Sequence, residues 1–158
     1  ANSQEDEHSC FSDNTHRDIV LNARGVSNAY FGTYAGYDGD LDGSDEVTSN
    51  AVNGYGIDDY LRHLGLGDAA SAMEAALATT ETAYVAIDAS ARAGTPFDVI
   101  IMDASAEAAK PVRDAIVSLN AQSTQIANIA VALEVGSPDD VVDPDASECD
   151  TSDPTSEC

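Results

Sequence analysis

The chain has 158 residues, 29 of them acidic against six basic, and a formal net charge of −23. That length suits one domain and is too short for two independent cores. The negative field repels phosphate backbones and anionic lipid, which argues against nucleic acid and membrane surfaces as partners, and no apolar run reaches the roughly 18 residues of a membrane span.

Ala1 is not an initiator Met and no apolar leader follows it, so the start reads as processed or trimmed. A polar stretch, Glu5 to His16, comes before the first helical pattern, in which Ile19, Ala23, Val26 and Tyr30 recur at steps of four, three and four. Asp13 or Asn14 suits the cap of that helix. The acidic segment Asp38 to Glu46 follows. A shorter apolar pattern, Ile57, Tyr60, Leu61 and Leu64, then stops at Gly65 and Gly67, where glycine suits a helix end. Asp68 suits the cap of a second long helix carrying Met73, Leu77, Thr80, Tyr84, Ile87 and Ala91, which Pro96 is expected to end. Phe97 to Met102 is the one strand-like run; with no partner strand in sight it reads as a bundle plug or a short helix. Pro111 fits only the first turn of the last helix, whose stripe is Val112, Ile116, Leu119, Ser123, Ile126, Ala130 and Leu133.

Alternating steps of three and four place apolar residues on one face, the pattern of helices in a bundle. The expected fold is therefore all-α: an up-and-down bundle of three long helices plus one or two short ones, spanning residues 1–135. Residues 136–158 are rich in Asp, Glu, Ser and Pro with Val141 and Val142 as their only bulky apolar residues, and read as an acidic flexible tail.

Four groups invite chemical readings. His8 and His16 are the natural metal ligands or acid–base groups, because imidazole titrates near neutrality. Ser12 and Asp13 suit helix capping and equally suit ligand contacts, since a helix N-terminus offers free N–H groups and a partial positive charge. Asp38, Asp40 and Asp42 with Gly43 open like a calcium loop, but position twelve is Ser49 in place of a bidentate Glu. Glu46 or water would have to complete the shell, and an acidic glycine-rich connection explains the same residues. The odd count of cysteines, Cys10, Cys149 and Cys158, argues against a disulfide framework, though Cys149 and Cys158 are placed to pair in an oxidising compartment. Ser9 and Ser12 beside His8 do not make a nucleophilic triad, which needs convergence from separate elements. His63 reads as a surface or packing residue.

The segment EDEHSCFSDNTHRDI, followed by Asn22, Gly25 and Asn28, resembles a segment of the imelysin family, and Pro96-Phe97-Asp98 is similar to the family as well. The resemblance implies two helical-bundle halves, with this chain corresponding to the second. It also implies an exported protein of the periplasm or cell envelope, concerned with iron or another divalent metal. The family's GxHxxE motif belongs to the first half and does not occur here, so the resemblance implies a partner: an N-terminal half carrying it. His8, Ser9, Ser12 and Asp13 would then face that motif across a cleft. Metallopeptidase activity is the alternative that the resemblance implies. It calls for about three protein ligands, an open position and a general base, which His8 and His16 without an HExxH helix do not supply. A structural fragment with a weak calcium loop is the third reading.

Overall fold

The computed structural model describes residues 7–9, 11–36 and 50–136. Three long helices form the body: α1 (Thr15–Phe31), α3 (Gly67–Arg92) and α5 (Lys110–Ala132). Short helices α2 (Ile57–His63) and α4 (Phe97–Ile101) and a 3₁₀ turn (Glu107–Ala109) complete the helical elements. The fold is the expected all-α bundle, and the strand-like run forms the helix α4 over Phe97–Ile101 with Met102 as its C-cap and Ile100 fully buried.

Helix ends follow local chemistry. At the end of α3, Gly94 takes a φ of +99°, the Thr95 N–H donates to the Ser90 carbonyl at 3.1 Å, and the Gly94 N–H donates to the Ala91 carbonyl at 3.0 Å. This paired arrangement around a left-handed residue stops the helix before Pro96 is reached. Pro96 instead sits at the N-cap of α4. Gly65 ends α2 in the same way, whereas Gly67 begins α3. Asp68 lies in the first turn of α3 without a capping bond, and Asn14 precedes α1 without one. Both differ from the expected caps: Asp68 acts only through its charge at the helix start. Pro111 occupies the first turn of α5 as expected.

α3 is the centre of the bundle. Both α1 and α5 pack against it and scarcely touch one another. One cluster gathers Tyr30, Leu61, Met73, Leu77 and Ile129; a second gathers Ala83, Ile87 and Ala115 with Ile19, Tyr84, Phe97 and Val112 around it. On α3 the buried positions follow the sequence stripe, from Met73 through Leu77, Thr80 and Ile87. On α5 they do not. Its buried residues are Ala115, Ser118, Gln122 and Ile129, while Leu119 and Ile126 of the stripe are each 38 % exposed. Ala115 packs against Ala83 and Ile87 of α3, and the bulkier stripe is turned sideways.

A two-residue antiparallel ladder, β1 (Thr33–Tyr34) with β2 (Val52–Asn53), was not legible in the sequence. It begins directly after Gly32 and brings the ends of the 35–51 connection together. The calcium-loop residues Asp38, Asp40, Asp42 and Glu46, and the tail cysteines, lie outside the described residues. No described helix is long and apolar enough to cross a membrane.

Candidate functional site

The polar segment before α1 folds back on the helix that follows it. Ser12 donates both its backbone N–H (3.0 Å) and its hydroxyl (3.2 Å) to the Ser9 carbonyl, closing a tight turn. The Ser9 N–H donates to the Thr15 hydroxyl at 2.9 Å, and Thr15 is buried. Asp13 makes the reversal with a φ of +51°, a conformation that Asp tolerates better than most residues.

The turn delivers His8 and Ser9 to one carboxylate, that of Asp18 in the first turn of α1. His8 Nδ1 lies 2.9 Å from Asp18 Oδ2, and the Ser9 hydroxyl donates to the same oxygen. The Ser9 hydrogen bond and then the His8 contact hold the Asp18 carboxyl below its usual range. The assembly faces outward: the His8 side chain is 79 % exposed, and Phe11 projects entirely into solvent.

A second polar group lies beneath. Asp88 of α3 accepts from Arg92 Nε at 2.8 Å and lies 3.6 Å from Arg17 Nη1 and 3.8 Å from His16 Nε2. The Arg17 side chain is 5 % exposed, and its Nε and Nη2 have no hydrogen-bond partner among the described residues. The two histidines therefore do different things. His8 sits at the surface on Asp18, and His16 turns inward to Asp88.

Of the four residues expected at the site, the structure brings His8 and Ser9 together, while Ser12 braces the turn and Asp13 shapes the backbone. Asp18, the residue on which they converge, was missed. Its signal was present in the sequence: a carboxylate one turn beyond the capping position, able to reach back over the helix start. The Arg17–Asp88–Arg92 group carried no such signal, because it joins residues some seventy positions apart.

As a metal centre the arrangement is partial. Among the described residues, no group of three or more His, Cys, Asp or Glu side chains is placed to hold an ion. His8 Nδ1 and Asp18 Oδ2 are a nitrogen and an oxygen donor of the kind that zinc or iron accepts, but about three or four are needed. Here the two atoms contact each other, and Asp18 Oδ2 also accepts from the Ser9 hydroxyl.

The imelysin family model matches residues 1–126, and the chain belongs to the imelysin family. A search of curated proteins finds no match.

Proposed function

We propose that this chain is one half of an exported imelysin-like protein of the bacterial envelope, and that the turn before α1 is one wall of a cleft for iron or another divalent cation. One observation carries the reading: His8 and Ser9 converge on the Asp18 carboxylate at an exposed turn. Two donors do not complete a site, so the remaining ligands come from a second helical half carrying GxHxxE, whose His and Glu would bring the set to about four. The net charge of −23 raises the local concentration of cations around such a cleft. In this reading residues 1–135 are the folded unit and residues 136–158 an acidic tail.

Titration calorimetry with Fe(II) and with Zn(II), on the chain alone and on the chain mixed with a GxHxxE-bearing imelysin half, tests the proposal. The pair should bind more tightly than either half, and His8→Ala or Asp18→Ala should weaken the pair. A pair that binds no better than its parts sinks it.

A further inference from the structure

The buried core comes in two parts, and the residues between them are polar. On α3, Ala70, Met73 and Leu77 belong to one cluster and Ala83 and Ile87 to the other. Thr80 lies between them, near the middle of the helix, and is 2 % exposed. On α5, Ile129 belongs to the first cluster and Ala115 to the second. The buried residues between those two are Ser118 and Gln122. A polar layer therefore crosses the bundle where an apolar one would have joined the clusters.

Gln122 is the member of that layer that the chain leaves unsatisfied. It is 7 % exposed, and its Oε1 is buried with no hydrogen-bond partner among the described residues. The two neighbouring hydroxyls have committed their protons elsewhere. Thr80 donates to the Ala76 carbonyl at 3.1 Å, and Ser118 to the Ala115 carbonyl at 2.9 Å. Neither proton is left for Gln122, while the Thr80 oxygen keeps room to accept. A buried amide oxygen without a donor has lost its hydration and gained nothing for it, so such atoms in folded proteins nearly always find a partner.

Gln122 and Thr80 both line a pocket of about 60 Å³ at the junction of the three long helices, and Asn22 and Ser27 line it from α1. Its size and chemistry select the guest. The volume suits about two water molecules and falls far below the roughly 300 Å³ at which pockets for organic ligands begin. The charged residues of the lining, Arg24 and Glu81, are opposite in sign, so neither a cation nor an anion is favoured. Two acceptors call for a neutral guest that donates twice, and water does so while still accepting from an amide or hydroxyl.

We infer that ordered water fills this pocket as a fixed part of the fold, donating to Gln122 Oε1 and Thr80 Oγ1 and meeting Asn22 or Ser27 on its third side. The water ties α5 to α1, two helices that scarcely touch directly. It also aligns them: a buried polar layer is satisfied in one axial register only, as a buried polar residue is in a coiled coil.

Crystallography of the full chain, with water-selective NOE spectroscopy in solution, tests the inference. The wild type should show water at about 2.7–3.2 Å from Gln122 Oε1 and a long-lived water contact at the Leu77 methyl groups, which line the same pocket. Gln122→Met keeps the length of the side chain and removes the acceptor; it should lose both signals with an unchanged circular dichroism spectrum. Should that variant fail to fold, Thr80→Val removes the second acceptor at constant shape and should displace the same water. Xenon gives the converse reading, because it enters dry apolar cavities. It should be excluded from the wild type and enter the Gln122→Met, Thr80→Val double variant. A wild-type pocket that holds xenon and no water overturns the inference. So does water that stays at the same position in Gln122→Met.

Discussion

Arg17 of α1 and Asp88 of α3 form an ion pair across the helix interface, Nη1 to Oδ1 3.6 Å, with side chains only 5 % and 12 % exposed. Removing the carboxylate alone strands a buried guanidinium whose Nε and Nη2 already lack a hydrogen-bond partner among the described residues. Asp88→Ala should therefore cost about 3 kcal/mol or more, read as a lower urea midpoint with an unchanged slope. Arg17→Met combined with Asp88→Leu should recover most of that loss, because a well-packed apolar pair avoids the desolvation of both charges. A double variant no better than the single one would show that the pair stabilises the fold in its own right.

The Ser9–Asp18–His8 contact ties the turn to α1 without burying it. Asp18→Ala should leave the melting temperature of the bundle nearly unchanged, since exposed polar contacts contribute little. It should, however, speed proteolysis and amide exchange across residues 8–14. The acid dependence has a definite sign. Asp18 titrates below its ordinary 3.8 in the folded chain, so its contribution is present above that pH and is lost as the pH falls through the lowered value. Accelerated exchange in the turn should accordingly appear in the wild type only at the acid end, and at all pH values in Asp18→Ala.

Tyr30 gives a marker at the opposite end of the scale. Its hydroxyl donates to the Ala70 carbonyl at 3.2 Å, and burial, with Glu74 and Asp58 nearby, pushes its pKa up to about 12. A raised tyrosine pKa stabilises the fold fully below pH 10, and that stability is lost as the pH rises through 12. Among the chain's six tyrosines, a late-titrating component of the tyrosinate absorbance should disappear in Tyr30→Phe. Its persistence in that variant would assign the late component to Tyr84, which burial also raises.

Gly56 and Gly67 should respond in opposite directions to the same substitution. A Cβ at Gly56 would collide with the Phe31 and Tyr30 backbone and with the Asp58 carboxylate. Gly56→Ala must therefore push the end of α1 away from the start of α2, at a cost of about 1–3 kcal/mol. At Gly67, the first residue of α3, no other described atom lies within 4 Å of an added Cβ, so Gly67→Ala should stabilise by up to about 1 kcal/mol. Thermal melts of the two variants decide both.

The sequence by itself determined the helices and most of their ends. Periodicity marked α1, α3 and α5, Pro111 marked the start of α5, and Gly65 marked the end of α2, because these are local effects of backbone geometry and side-chain spacing. On α3 the stripe also named the buried face, since a central helix is covered on the side where its bulk lies. Tertiary structure decided the rest. Which face of α5 meets α3 depended on how the two surfaces fit together, a property of both helices that neither stripe reveals. The 33–34 and 52–53 ladder is too short to show a period. His8 and Ser9 were legible as candidates from residue type and family resemblance. Their convergence on Asp18, and the inward turn of His16 to Asp88, depended on a chain reversal and on a helix seventy residues away.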